Sequence, residues 1–173
     1  MKRFILSVVV FFLFIGPAAA SSSRAGLAAS FGVSKDDINI YRLAVNTPVK
    51  SNWLKRISPN LELKAELAYT LWDDHSQKVH GIAIAPVFYY VFKGLHPRIH
   101  PYIEGGIGGA WIDDYTINCR NLSTNLQFED RVGVGIRYGA LDVNFRYMHY
   151  SNASLKTPNH GIDIFMSTLS WAF

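Results

Sequence analysis

The stretch from residue 61 to residue 71 reads LELKAELAYTL, and its hydrophobic character alternates from one residue to the next. The odd-numbered positions are apolar or aromatic, whereas the even-numbered positions carry the charges, namely Glu62, Lys64 and Glu66. A period of two residues predicts a β-strand with one apolar and one polar face. Residues 126–138, LQFEDRVGVGIRY, repeat the pattern, with Asp130 as the one polar residue on the apolar face. Both runs exceed the roughly five to six residues of a soluble strand and suit the ~9–11 residues of a membrane strand.

Eight segments of this kind follow one another along the chain. They occupy residues 25–34, 37–49, 60–73, 79–92, 99–111, 125–138, 141–152 and 162–173. The second, fourth and fifth segments alternate less regularly, and Pro86 and Pro101 in the last two indicate a strand edge, a bulge or a strand end. An even number of long strands predicts an all-β fold: an eight-stranded antiparallel transmembrane β-barrel with both termini in the periplasm.

A soluble barrel of the lipocalin type is the alternative architecture, and it would turn its apolar face inward. In this chain the apolar face is broad and aromatic, and the opposite face carries charged residues. These are Glu62, Lys64, Glu66, Glu104, Arg131, Arg137 and Arg146. In the lumen of a membrane barrel such charges must pair with one another, because an unpaired buried charge is costly. The breadth of the aromatic face favours the membrane barrel.

The N-terminal residues have the three parts of a secretory signal peptide. Lys2 and Arg3 are basic, residues 4–15 form an apolar run, and residues 18–20 are alanines that suit a cleavage site. The apolar run is too short for a transmembrane helix, which needs about 20 residues. We therefore predict a signal peptide at residues 1–20 and one barrel domain at residues 21–173, located in the outer membrane of a Gram-negative bacterium.

Charge and cysteine content narrow the classes of function. The formal net charge is +4 and falls by two when Lys2 and Arg3 are removed with the signal peptide, which is too little to favour a nucleic-acid partner. Cys119 is the only cysteine, so an intramolecular disulfide is excluded, and we interpret it as an incidental thiol in a polar loop. The histidines lack the spacing of a known metal site, and neither a metal nor a cofactor is predicted.

Strand parity brings polar residues to the lipid-facing side of the last two strands. With the termini in the periplasm, the connections at residues 153–161, 112–124, 74–78 and 35–36 are extracellular, and the tight turn at Gly139-Ala140 is periplasmic. The apolar parity of strand seven, continued outward, reaches His149 and Ser151, and that of strand eight extends back to Asp163. Polar side chains that face lipid are costly, so this cluster is a candidate functional site.

The three residue types are those of a serine hydrolase. Ser151 can attack an ester carbonyl, His149 can accept its proton, and Asp163 can orient the imidazole. Residues two apart on one strand lie on the same face, about 6.6 Å apart along the axis. There is no G-x-S-x-G elbow. From geometry alone, a chance pair of polar residues or a histidine that binds lipid headgroups remains an alternative.

Donors for the oxyanion of a tetrahedral intermediate are available in the following loop. They are Asn152, Asn159 and the backbone amides of Ala153 or Ser154. His160, in the same loop, is interpreted as a solvent-exposed residue.

Two motifs in this region resemble those of a known family. Residues 149–153 read HYSNA and residues 158–163 read PNHGID. They resemble the H-x-S-N-[AG] and N-x-G-[IL]-[ED] runs of the lipid A 3-O-deacylases, the PagL family. The resemblance implies an eight-stranded outer-membrane barrel that hydrolyses the ester-linked 3-hydroxyacyl chain at position 3 of lipid A, the anchor of lipopolysaccharide.

The resemblance also implies roles for individual residues. His149 is the base, Ser151 the nucleophile and residue 163 the acid of the triad, while Asn152 and Asn159 match asparagines implicated in positioning or in the oxyanion site. The chain departs from the family at one point, because it has Asp163 where the family has glutamate. Aspartate is one methylene shorter, so either the strands lie closer together or the hydrogen bond to the histidine is weaker.

Further expectations concern partners and alternative functions. Lys35 or Lys156 could pair with phosphates of the lipid. The ending Trp171-Ala172-Phe173 resembles the signal that barrel proteins present to the barrel assembly machinery. The alternatives are a non-enzymatic structural or adhesive barrel and an acyltransferase acting on lipid A, whose catalytic groups would lie inside the barrel or in its loops. Phospholipase barrels are larger than this chain.

Overall fold

The computed structural model describes residues 24–93 and 96–173. These residues form ten strands and one short helix. In chain order they are β1 (Gly26–Ser34), β2 (Asn39–Pro48), α1 (Asn52–Ile57), β3 (Leu61–Asp73), β4 (Lys78–Val91), β5 (Ile99–Ile112), β6 (Thr116–Ile117), β7 (Arg120–Asn121), β8 (Leu126–Tyr138), β9 (Leu141–Ser151) and β10 (Ile162–Ala172). The predicted signal peptide lies outside the described residues. Within them, no helix is long and apolar enough to span a membrane.

Eight of the strands form one closed antiparallel barrel, in the order β1-β10-β9-β8-β5-β4-β3-β2. Closure comes from β1, which pairs with β2 on one side and with β10 on the other. The predicted fold class is therefore confirmed, and the eight predicted strands match the observed ones to within two residues at each end. The sequence pattern missed three short elements: the β6–β7 hairpin within the predicted loop at 112–124, and α1 between β2 and β3.

Helix α1 is about one and a half turns long and begins with an N-cap residue. Ser51 has an extended backbone, and its hydroxyl accepts a hydrogen bond from the Leu54 amide at 3.4 Å, as an N-cap residue does. Leu54 is buried, and Lys55 and Arg56 lie in the last turn, where cations interact favourably with the helix dipole. Six residues are too few to show a helical period in the sequence, which explains why the helix was not predicted.

Most of the outer wall of the barrel is apolar, as the alternation predicts. On β8 the outward residues Val132 and Val134 are 58% and 55% exposed, and similar values recur around the barrel. An exposed apolar surface that extends over a whole sheet is typical of a protein in contact with lipid.

The middle of the lumen is filled by a central ion cluster of three arginines and three glutamates. Its members are Arg42, Glu66, Glu104, Glu129, Arg131 and Arg146. Arg42 contacts Glu66 at 2.9 Å and Glu129 at 2.8 Å, and Arg131 contacts Glu66 at 2.7 Å. Opposite charges balance within the cluster, so the expected pairing of lumenal charges is confirmed for these residues.

Above this cluster, toward the loops predicted to be extracellular, the lumen is apolar. Its residues there include Ile38, Ile40, Trp72, Val79, Met148, Tyr150 and Ile164. On β4 the inward residues are apolar along most of the strand, including Val87 and Val91. The expectation of one apolar and one polar face is therefore wrong for this part of the barrel. It also explains why the fourth segment alternates poorly, because both faces of β4 are apolar.

The two prolines occupy different positions. Pro101 is the third residue of β5 and so lies at a strand end. Pro86 is in the middle of β4, where the ladder to β5 keeps its register between Ile84↔Gly109 and Val87↔Gly106 but omits the pairs between them. A proline has no N–H to donate, and the interrupted ladder reflects that.

Replacing Glu66 by alanine tests the central ion cluster. The change leaves Arg42 and Arg131 buried without one of their acceptors, so we expect a loss of about 3–5 kcal/mol in the free energy of unfolding. Urea unfolding of the barrel in lipid vesicles measures this. The control is Asp37→Asn, since the Asp37 side chain is 96% exposed. Equal stability of the two variants would contradict a stabilising role for the cluster.

Candidate active site

The predicted site residues lie in one row across three neighbouring strands. His149 on β9 is paired directly with Asp163 on β10 and with Asp130 on β8. All three side chains are on the outer, lipid-facing side, close to the end of the barrel that carries the long loops. Asp130, the one polar residue on the apolar face of its strand, is thus part of the row that contains His149.

His149 and Asp163 are in direct contact. The His149 Nδ1 atom lies 2.7 Å from the Asp163 Oδ1 atom, and both side chains are partly exposed, at 36% and 28%. Direct pairing across adjacent antiparallel strands places the two Cβ atoms about 4.5–5.5 Å apart. At that separation the side chain of Asp163 reaches the imidazole, although aspartate is one methylene shorter than the glutamate of the family.

Two further donors hold the Asp163 carboxylate. The Tyr147 hydroxyl donates to its Oδ1 atom at 2.5 Å, and the Lys35 ammonium contacts its Oδ2 atom at 3.2 Å. Tyr147 lies two residues before His149 on the same face of β9, and Lys35 follows the end of β1. Both oxygens of the carboxylate are therefore engaged, which fixes its orientation toward His149. Lys35, expected to be available for phosphates, is paired with this carboxylate instead.

Ser151 occupies the next outward position on β9, paired with Phe128 of β8. Its side chain is partly exposed, and among the described residues it has no hydrogen-bond partner. A gap between nucleophile and base is common before substrate binds, because catalytic hydrogen bonds often tighten only in the complex. The structure therefore joins His149 to Asp163 and places Ser151 at the next outward position, and the described residues show no hydrogen bond from Ser151 to either of them.

Asn152 organises the loop that follows β9. Its side chain is buried, and its Nδ2 atom donates to the backbone oxygens of Leu122 at 2.7 Å and of Lys156 at 2.8 Å. Its backbone amide donates to the Oδ1 atom of Asn159 at 3.2 Å. Because both amide hydrogens of the Asn152 side chain are used within the protein, the geometry favours a positioning role over a role as oxyanion donor.

Gly161 forms one wall of the imidazole site. Its backbone has a φ of +53°, a conformation that favours glycine, and a Cβ atom added there would lie 2.8 Å from the Cε1 atom of His149. Both the backbone and the contact with the ring require glycine. The signal was present in the sequence, as a glycine between the loop and β10, but nothing in the sequence showed what it touches.

The segment from residue 113 to residue 125, which we call the cap loop, folds over the mouth of the barrel and holds the loop at 152–161. Arg120 donates to the backbone oxygens of His160 at 2.8 Å and Gly161 at 3.0 Å. The same guanidinium contacts Asp36 at 2.6 Å and 2.9 Å. Arg120 therefore connects three loops directly above the site, and sequence reasoning missed it because its partners are far away in the chain.

Other loop residues complete this arrangement. The Ser123 hydroxyl donates to the Pro158 oxygen at 2.6 Å. His160 is exposed as expected, but its Nδ1 atom accepts a hydrogen bond from the Asn121 amide at 3.1 Å, so it is tied to the cap loop. Cys119 is free and exposed at the tip of the β6–β7 hairpin. In the part of the chain that the structure describes, no three His, Cys, Asp or Glu side chains form a metal site.

Fold and site together define a class of protein: an integral outer-membrane barrel with a polar, hydrolase-like set of side chains on its lipid-facing wall. Residues 39–172 match the sequence model of the family described as Lipid A 3-O-deacylase (PagL). The chain belongs to this family.

Relatives and solved structures agree with that assignment. The chain is 35% identical over 147 residues to Lipid A deacylase PagL of Pseudomonas aeruginosa, which covers 83% of this chain and 84% of that protein. It is 24% identical over 173 residues to Lipid A deacylase PagL of Bordetella bronchiseptica, covering 98% of this chain and 95% of the relative. The crystal structure of the outer membrane enzyme PagL superposes with a TM-score of 0.75 at 32% identity, covering 86% of this chain and 99% of that one.

Family membership confirms the resemblance inferred from the two motifs. The protein is a lipid A deacylase of the outer membrane, and so a hydrolase of an acyl ester.

Replacing Gly161 by alanine tests the wall of the imidazole site. The added Cβ atom forces the His149 ring to move, and displacements of about 1 Å can lower turnover roughly 100-fold. Deacylation of lipid A in detergent micelles is the measurement. Gly139→Ala is the matched control, because Gly139 has a φ of +60° but lies in the opposite turn of the barrel. Equal activity of both variants would show that Gly161 does not seat the histidine.

Replacing Arg120 by alanine tests the cap loop. We expect turnover to fall about tenfold, the equivalent of one or two lost charge-assisted hydrogen bonds, with little change in KM. Arg120→Lys should retain more turnover than Arg120→Ala but less than the wild type, since lysine lacks the planar guanidinium that spans two carbonyls and a carboxylate. Asp36→Asn, which leaves the two carbonyl contacts intact, should cost less. An Arg120→Ala enzyme with wild-type turnover would contradict this role.

Proposed function

We propose that this protein removes the 3-hydroxyacyl chain at position 3 of lipid A by a serine-esterase mechanism. Ser151 is the nucleophile, His149 the general base and Asp163 the orienting acid, all on the outer wall of the barrel. The single observation that carries the proposal is the 2.7 Å hydrogen bond between His149 and Asp163 on the lipid-facing side. Polar side chains on a lipid-facing surface are energetically costly, so their presence there points to a function.

The hydrogen-bond pattern favours one direction of proton transfer. With its Nδ1–H donated to Asp163, the His149 imidazole presents an unprotonated Nε2 atom, which can accept the Ser151 proton as the hydroxyl attacks the ester carbonyl. The protonated imidazole then gives that proton to the departing sugar oxygen. A water molecule, activated by the same histidine, releases the fatty acid from Ser151. Asp163 stabilises the imidazolium in both steps.

The loop after β9 supplies candidate donors for the oxyanion. Ala153 and Ser154 have φ angles of +52° and +61°, and successive amides in such a turn can converge on an anion. Neither amide has an acceptor within the described residues. Asn159 uses its Oδ1 atom to accept from the Asn152 amide, which leaves its Nδ2 atom available to the oxyanion. Holding non-glycine residues at positive φ costs energy, as is common at functional sites.

The position of the site on the wall suits a membrane lipid. Lipid A lies in the outer leaflet, and its ester carbonyls lie just below the sugar headgroup. A triad near the loop end of the wall meets those carbonyls from the side. The exposed Lys156 can contact a sugar phosphate. This requires the loops at 35–38, 74–77, 113–125 and 152–161 to be extracellular and both termini to be periplasmic.

Export and assembly complete the proposal. Residues 1–20 act as a cleaved signal peptide, and the barrel domain from residue 21 onward is inserted into the outer membrane. The alternating residues of β10, with Trp171 on the outward face, and the Phe173 that follows the strand are the part of the chain that the barrel assembly machinery recognises.

Mass spectrometry of lipid A from cells that express the protein tests the chemistry. The wild type should yield lipid A that lacks one 3-hydroxyacyl chain, and Ser151→Ala should yield intact lipid A. The matched control is Ser167→Ala, since Ser167 is another outward serine and lies two outward positions below Asp163 on β10. Intact lipid A with the wild type, or a deacylated product with Ser151→Ala, would contradict the proposal, and lipid A with an added chain would indicate an acyltransferase.

The acid is tested with two further variants of the purified enzyme. Asp163→Asn keeps the shape but favours the wrong imidazole tautomer, and turnover should fall about 10³–10⁴-fold. Asp163→Glu should retain measurable activity, since a carboxylate remains. Equal turnover of Asp163→Asn and the wild type would exclude Asp163 from the triad.

A further inference from the structure

Helix α1 exposes large apolar side chains at the end of the barrel opposite to the active site. It connects β2 to β3 at the end where β1 begins, because Asn46 near the end of β2 pairs with Gly26, the first residue of β1. Trp53 and Ile57 of the helix are 56% and 67% exposed. Neither closure of the barrel nor the proposed chemistry requires these two side chains.

The helix is amphipathic. At about 100° of rotation per residue, Trp53, Leu54 and Ile57 fall within about 100° of its circumference. Leu54 is buried against the protein, whereas the other two are exposed. The rest of the circumference is polar and exposed, and it consists of Asn52, Lys55 and Arg56. A single exposed apolar residue is ordinary on a protein surface, but two on one face of a short helix form a patch.

The apolar face of α1 continues the lipid-facing wall of the barrel. On β2 the outward Val45 is 47% exposed, and Val49 extends the same parity beyond the strand, where its amide donates to the Leu63 oxygen at 2.9 Å. Helix α1 packs against β3. At the start of β3 the outward Leu61 and Leu63 are only partly exposed, whereas Leu67 farther along the same face is 51% exposed. The helix therefore lies beside the outer wall.

Aromatic residues mark the same level on the neighbouring strand. Leu61, the first residue of β3, pairs with Tyr90 of β4. The rings of Tyr90 and Phe92 are in edge contact, with centroids 5.2 Å apart, and both are exposed. Tryptophan and tyrosine are enriched where a bilayer meets water. Trp53 therefore lies at the level expected of a membrane interface.

The segment that contains α1 carries only positive charge. Residues 49–60 include Lys50, Lys55 and Arg56 but neither aspartate nor glutamate. All three cations are exposed, and within residues 24–93 and 96–173 none of them contacts a carboxylate. The helix dipole accounts for Lys55 and Arg56 in the last turn, but it disfavours a cation such as Lys50 before the first turn. An apolar helix face flanked by cations suits a surface of anionic lipid.

We propose that α1 is a membrane anchor that lies in the headgroup region of the periplasmic leaflet. Trp53 and Ile57 enter the leaflet, where their apolar surface leaves water. Lys50, Lys55 and Arg56 bind the phosphates of anionic phospholipids. The inference takes from the proposed function only the orientation of the barrel, with both termini in the periplasm.

Nitroxide labels on single cysteines test the location of the helix. In a Cys119→Ser background, the variants Ile57→Cys, Lys55→Cys and Ile107→Cys are labelled and folded into vesicles of phosphatidylcholine and phosphatidylglycerol. Electron paramagnetic resonance compares the accessibility of each label to oxygen, which concentrates in lipid, with that to a water-soluble nickel chelate. Ile107 is the matched control, since it is 66% exposed on the barrel wall. We expect position 57 to resemble position 107, with an oxygen-to-nickel ratio several-fold higher than at position 55.

The three cations are tested by headgroup preference. Spin-labelled phosphatidylglycerol and phosphatidylcholine report which lipid is held at the surface of the protein. The wild type should prefer the anionic lipid, and that preference should fall about twofold in the triple variant Lys50→Gln/Lys55→Gln/Arg56→Gln. Asn52→Gln is the matched control, because it changes the polar face without changing its charge. Heat-modifiable migration on gels reports whether each barrel has folded.

Each outcome decides one part of the inference. A label at position 57 that is as accessible to nickel as one at position 55 overturns the anchor and leaves the exposed face to a soluble partner or a second copy. An unchanged headgroup preference in the folded triple variant, or an equal fall with Asn52→Gln, overturns the binding of anionic lipid. Neither measurement involves hydrolysis, so a failure of the Ser151 mechanism leaves both results in place.

Discussion

Every backbone N–H and C=O group in the hydrocarbon region must find its partner within the protein, because lipid offers none. The pairing of β1 with β10 meets this requirement by leaving no open edge. Closure then places every second residue of a strand in contact with lipid and the others in the lumen. The lumen is too narrow for a water-filled channel, so the central ion cluster and the apolar residues above it fill the interior. The same rule makes His149 and Asp163 neighbours on the outside, since two strands in fixed register leave those side chains no other direction.

The strands and the row of polar residues could be predicted from the sequence because both depend on local order. A period of two is visible wherever lumenal and lipid-facing residues differ in polarity, as in β3 and β8, and it weakens in β4, where valines and alanines face the lumen. Parity counted along β9 and β10 also places His149 and Asp163 on one face. That count does not depend on the conformation of the loops. The sequence alone therefore predicts Asp163 as the partner of His149.

What the sequence did not reveal depends on contacts between distant parts of the chain. Arg120 matters because Asp36, His160 and Gly161 converge on it, and these residues are separated by about 40 to 84 positions in the chain. The sequence suggests only that Lys35 could pair with a lipid phosphate, because its partner Asp163 is 128 positions away in the chain.

The row of Asp130, His149 and Asp163 on the outer wall determines how a lipid substrate would reach the proposed site. A site on the outer wall is always in contact with the leaflet, so substrate arrives by diffusion in a plane and its supply does not depend on any concentration in solution. In the proposed mechanism, water is the reactant that must come from outside the leaflet. The proposed reaction then depends on two separate supplies, lipid from beside the barrel and water from above the loop that follows β9.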